Sequence, residues 1–210
     1  CFLSLAAQDL LKAKDLNVQV DSMVQSKIYQ ALDALFTQIN TEKLGDKFIT
    51  KKGGDLTKSI FKEFRNLENI ENDSTAQYYQ KQVINFYPLN TTQYALKIAY
   101  TNTETGLPTI KAMLHLIAED TKDGIKFSLP LNHLTRHWQS KKIGQITYFY
   151  EANFNEKRAT YFDAKNTQIA NKLGLPSESF NFYLCDNYQT ILQLLGFEYD
   201  AESNGITRNG

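Results

Sequence analysis

The sequence predicts an α+β protein, with helices packed on an antiparallel meander and a smaller strand–helix region after it. Three observations carry that prediction. Apolar residues first recur at spacings of three and four, then switch to a period of two, and residues with turn chemistry separate the period-two segments. The chain of 210 residues is 42% hydrophobic and 12% aromatic, which is enough apolar surface to bury a core in one or two domains and excludes an intrinsically disordered chain.

In chain order, Val20, Met23, Val24, Ile28, Ala31, Leu32, Leu35, Phe36 and Ile39 fall on one helical face. A second helix opens at Asp55, read as its cap, behind the chain break Gly53-Gly54, and carries Leu56, Ile60, Phe61, Phe64 and Leu67. Val83 to Tyr87, Tyr94 to Tyr100, Ile110 to Ala118 and Ile125 to Leu129 then read as strands, each with one buried face. Pro88 to Thr91, Thr103 to Pro108 and Lys122-Asp123-Gly124 separate them as turns. Four antiparallel strands under two helices are the expected layering, and the order of elements is analogous to cystatin-like and nuclear-transport-factor-like folds, in which a curved sheet holds helices in its concavity. Beyond Pro130, a short helical stretch is expected over Asn132 to Gln139 and a strand over Gln145 to Tyr150. A helix follows, capped by Asn155 and stopped by Gly174 and Pro176. Phe180 to Leu184 reads as a buried strand, and Asp186 as the cap of a last helix, Asn187 to Leu195, with Gln189 completing a capping box and Gly196 ending it. The change of pattern places a boundary near Lys141, between an accessory α+β domain at 9–140 and a βαβα subdomain at 141–210.

Residues 1–8, with apolar Phe2, Leu3 and Leu5 before Ala6-Ala7, read as a signal-peptide remnant, which places the protein outside the cytoplasm. A rival reading makes Cys1 the lipid-bearing residue of a lipoprotein, but the apolar residues behind it are unlike a polar tether. Cys185 is then the sole remaining cysteine and reads as a small buried hydrophobe. No apolar stretch is long enough to span a bilayer. With 23 basic and 23 acidic residues, the chain has no global charge that would recruit nucleic acid.

Candidate chemistry is sparse. His133 and His137 stand at i and i+4, a spacing that on a helix allows both to reach one divalent metal, but Leu134 occupies the position where a zinc peptidase carries its general base. His115 falls on the outer face of a strand pattern. Glu151, Glu156 and Asp163 can be read as an acid pair, but solvated helix charge, with Glu156 favoured near a helix N-terminus, accounts for them better. Tyr148, Phe149, Tyr150, Phe154, Tyr161 and Phe162 form either a ligand-stacking wall or core. No phosphate-binding glycine loop or serine-nucleophile motif occurs.

Taken together, Trp138, Gly144 to Tyr150, Ile169 to Leu175, Phe182 to Gln189, Leu194 to Tyr199 and Asn204 to Thr207 resemble the region just upstream of the catalytic helix in secreted bacterial gluzincin-type zinc metallopeptidases, the peptidase MA-like group. The resemblance implies that Phe180 to Leu184 lies beside an active-site cleft and that an HExxH helix follows beyond Gly210. It implies no catalytic, cofactor-binding or metal-binding residue within this chain, with zinc expected only past residue 210. The expected function is therefore the non-catalytic amino-terminal region of an exported peptidase-like protein, its partner being its own carboxy-terminal peptidase domain or a peptide or protein substrate. The alternative is a stand-alone extracytoplasmic ligand- or protein-binding module built on the curved sheet.

Overall fold

The computed structural model describes residues 11–12, 18–41, 44–67, 79–102, 109–176 and 178–200. Among them the order is β1 (Leu11–Lys12), α1 (Ser22–Asn40), α2 (Gly54–Phe64), β2 (Gln80–Pro88), β3 (Gln93–Asn102), β4 (Thr109–Thr121) and β5 (Gly124–Ser128). It continues with α3 (Leu131–Leu134), β6 (Gln139–Ile143), β7 (Ile146–Tyr150), α4 (Glu156–Leu173), β8 (Phe180–Leu184), α5 (Tyr188–Leu194) and β9 (Phe197–Asp200). The chain is α+β, as its pattern predicts. The signal-peptide remnant at 1–8, the turn at Thr103 to Pro108 and the segment Asn204 to Thr207 lie outside the described residues. The described residues form two compact units, one of those up to Pro130 together with those from Leu192 onward, and one of those between Leu131 and Ile191. The change of unit thus comes at Pro130 rather than near Lys141, and β9 belongs with the meander.

In the first unit, β2 to β5 pair antiparallel in sequence order, as the turn chemistry requires. β1 adds a parallel pair to β2. β4 is long enough to share one edge between two partners, with β5 along Ile117 to Thr121 and β9 along Ala112 to Leu114. Registered pairs Leu96–Leu116, Ile98–Leu114 and Tyr100–Ala112 line the face that α1 covers. On that face Phe36 meets Tyr100 edge-on at 6.4 Å, Tyr29 meets Phe86 at 5.7 Å, and Phe64 of α2 meets Phe197 at 5.2 Å. Ile28, Leu32, Leu35, Phe61 and Phe64 are fully buried there. Met23 is an exception to the helical face read from the sequence: it sits in the first turn of α1 and is 70% exposed.

β3 and β4 bury both faces, not one. Ala95, Ala99, Ile117 and His115 are all at most 5% exposed on the side away from α1. His115 does occupy the outer face, but that face is covered. A register shift between Met113 and Leu114 makes Glu198 the extra residue of β9, and such a bulge re-aims a side chain. Glu198 lies 2.9 Å from Lys97 Nζ and 3.3 Å from His115 Nδ1. Gly196 makes this approach possible: its φ is +88°, its carbonyl accepts the His115 amide at 2.8 Å, and a Cβ there would stand 2.9 Å from the His115 carbonyl oxygen. The residue that stops α5 is also the one that lets β9 dock.

Caps differ from the sequence reading by one or two positions. α2 begins at Gly54 behind Gly53, whose φ of +72° only glycine adopts freely, and Asp55 sits in the first turn, where its charge favours the helix N-terminus.

Leu32→Ala removes a fully buried side chain and is expected to destabilise the first unit by about 2–5 kcal/mol. Met23→Ala, on the same predicted face but exposed, is expected to stay within about 0.5 kcal/mol. Urea unfolding of the two variants checks this, and equal effects would contradict the assignment of α1's buried face.

Candidate functional site

The second unit is built on a three-stranded sheet in the order β6-β7-β8, in which β6 and β7 pair antiparallel and β7 and β8 pair parallel through the α4 crossover. Residues 135–137 form a turn and Gln139 starts β6, so α3 is shorter than the Asn132 to Gln139 stretch predicted. α4 is capped as read: Asn155 Oδ1 accepts the Arg158 amide at 3.0 Å, and Gly174 closes it with φ +64°. The carboxylate of Asp163 accepts the Gln145 amide at 3.0 Å and fills the space a Cβ on Gly144 would need, which fastens the β6–β7 turn to α4. β8 is half-exposed rather than buried, and Phe180 is 38% exposed.

Parallel register puts Ile146, Tyr148 and Tyr150 beside Phe180, Phe182 and Leu184 on the face toward α4. Ile146, Tyr148 and Ala159 are buried there, with Phe154, Phe182 and Leu184 packed around them. Burial holds the Tyr148 phenol above its ordinary pKa, with the Asp163 charge adding to the effect, and its hydroxyl donates to the Ala159 carbonyl at 3.2 Å. At the carboxyl ends of β7 and β8 this core opens into a cleft of about 370 Å³. Its floor is Tyr148, Tyr150, Phe154, Phe162 and Phe182, with Trp138 at one side. Tyr150 and Phe154 stack at 4.7 Å, and Phe162 meets Phe182 edge-on at 5.6 Å. Charge comes from Glu151 just after β7, Asp186 just after β8, and Arg158 in the first turn of α4.

Of the six aromatic residues singled out in the sequence, the structure brings Tyr148, Tyr150, Phe154 and Phe162 into this cleft. They are core and wall at once. Phe149 points to the other face of the sheet, where it stacks on Tyr183 at 4.9 Å, and Tyr161 is 65% exposed under Lys165. Arg158 had no assigned part, Trp138 and Phe182 entered only through the resemblance, and Asp186 as a helix cap; the period-two alternation of 180–184 beside that of 146–150 is the signal that joins Phe182 to Tyr148. The three acidic residues do not form an acid pair. Glu151 lines the cleft, Glu156 bonds to Lys141 at 2.7 Å, and Asp163 holds the turn.

Asp186 does not cap α5. Asn187 does, its Oδ1 accepting the Thr190 amide at 2.8 Å, and the Asp186 carboxylate remains on the cleft. Cys185 is half-buried in the cleft wall rather than in the core. Burial and then the Asp186 charge push its thiol pKa up, which disfavours the nucleophilic thiolate.

His133 lies on α3 and His137 in the turn after it, so the pair does not share one helix. Between the rings lies Arg136: Nη1 is 3.2 Å from His133 Nε2, and Nε donates to His137 Nε2 at 3.0 Å. A guanidinium, always protonated, thus occupies the position from which a metal would engage both imidazoles. Among the described residues no group of three or more His, Cys, Asp or Glu is placed to hold a metal. With Arg136 between them, His133 and His137 do not fit a zinc ion as a pair.

No family model matches this chain, and neither a curated protein nor a solved structure does.

The His133 imidazole is held below its ordinary pKa by burial and then by Arg136. Above the ordinary value both folded and unfolded chains carry a neutral ring. As pH falls through that value the unfolded chain takes up the proton first, so folding weakens. Arg136→Gln is expected to raise the His133 pKa, read by NMR titration, and an unchanged midpoint would contradict the Arg136 contact.

Proposed function

We propose that this chain is a recognition module whose cleft at the carboxyl ends of β7 and β8 takes up an apolar group of a small molecule or peptide. The observation that carries the reading is the cleft itself. It has the size of small-molecule sites, roughly 300–1,000 Å³, an apolar floor, and a few convergent polar groups. It sits at the carboxyl ends of parallel strands, beside a helix N-terminus, which is where strand–helix–strand units generally open a crevice for ligands. The large sheet offers a weaker site for such a ligand, because α1 and α2 fill the face on which it was expected.

The cleft lies within the part of the sequence that resembles peptidase MA-like gluzincins. That resemblance supports a further half of the proposal: the chain is the non-catalytic front part of an exported, peptidase-like protein, recognising peptide substrate or packing on a catalytic domain that carries the zinc. No zinc chemistry is assigned to the described residues of this chain.

The two halves are tested separately. Indole, added to isotope-labelled protein at millimolar concentration, is expected to shift the NMR signals of Trp138, Ala152 and Leu184, and Phe182→Ala is expected to weaken binding about tenfold or more. Saturation without shifts at these residues would contradict the cleft as a site. For the second half, the reading frame past codon 210 is expected to encode an HExxH helix, and its full-length product to bind zinc and cleave peptides. A stop codon reached without such a helix removes that half and leaves the cleft untouched.

A further inference from the structure

The charges around the cleft are arranged asymmetrically. Glu151 and Asp186 follow strands that are neighbours in parallel register, Tyr150 opposite Leu184, so both carboxylates stand at the same end of the sheet. Arg158 comes from α4, which packs over that sheet and whose N-terminal end favours negative charge. All three side chains are exposed, and among the described residues none has an ion-pair partner. Charges of both signs beside an apolar lining are complemented by a ligand that carries both signs and an apolar body. An anion alone would meet two carboxylates, and a cation alone would leave the guanidinium unmatched.

We propose that the cleft binds an α-amino acid with an aromatic side chain in its zwitterionic form. The ring lies on Phe154, Phe162 and Phe182, the ammonium donates to Glu151 and Asp186, and the carboxylate accepts from Arg158. This assignment rests on the cleft being a binding site and adds the chemical class of its ligand. The polar groups give orientation, and the rings give contact area.

Three probes of one shape separate the charges: L-phenylalanine, phenethylamine, which lacks the carboxylate, and 3-phenylpropionate, which lacks the ammonium. Calorimetric or NMR titration is expected to rank them in that order, with L-phenylalanine about tenfold tighter than phenethylamine. Arg158→Gln is expected to abolish the advantage of L-phenylalanine over phenethylamine and, by removing a like charge, to strengthen phenethylamine rather than weaken it. Glu151→Gln with Asp186→Asn is expected to weaken both amines and to strengthen 3-phenylpropionate. These positions are exposed, so the variants retain the fold, and circular dichroism checks that they do. Equal affinity for all three probes, or a ranking that ignores Arg158→Gln, overturns the zwitterion assignment and leaves the apolar cleft standing. Failure of all three, with indole also silent, overturns the cleft reading itself.

Discussion

Parallel pairing of β7 with β8 is the constraint on which the second unit depends. Two parallel neighbours have to be joined by a crossover, and α4 is that crossover. Once it is in place, both strands point their carboxyl ends the same way, and the alternation of side chains delivers Tyr148, Tyr150, Phe182 and Leu184 to the face beneath the helix. The rings bury one side in the core and leave the other on the cleft. Core stability and the lining of the cleft thus share one set of contacts, and Asp163 fastens the β6–β7 turn, at the other end of β7, to α4.

The first unit solves a different problem. Its long strand β4 pairs with β3 along one edge and divides the other between β5 and β9, which brings a distant part of the chain back to the meander. The bulge at Glu198 places a carboxylate between Lys97 and His115, on a strand face that the alternation assigns to solvent and the structure buries. A side chain at position 196 would separate β9 from His115.

Much of this was legible in the sequence where the determinants are local. The helical face of α1, the alternation of β2 to β5, and the Asn155 and Gly174 ends of α4 all follow from residues within a few positions of one another. Determinants that act across the chain were not legible. β6, Gln-Ser-Lys-Lys-Ile, is an edge strand whose exposed residues show no alternation, so Gln139 read as the end of a helical stretch and the other four residues as no element. β9 is four residues long and is defined by its partner rather than by its own pattern. Asp186 and Asn187 are equally suited to cap α5, and only the backbone geometry chooses Asn187. The cleft was half legible: its rings were recognised on β7 and α4, but their junction with Phe182 depends on a register between strands separated by α4. The surroundings of the histidine pair were not legible for a related reason, because spacing shows that two rings can meet but not that Arg136 lies between them.

The most direct test of the account is the position of a bound aromatic amino acid. Intermolecular nuclear Overhauser contacts from the ring protons of L-phenylalanine to the methyl groups of Ala152 and Leu184 and to the rings of Phe162 and Phe182 are the predicted result. Contacts confined to other residues, or none at saturating concentration, would contradict it.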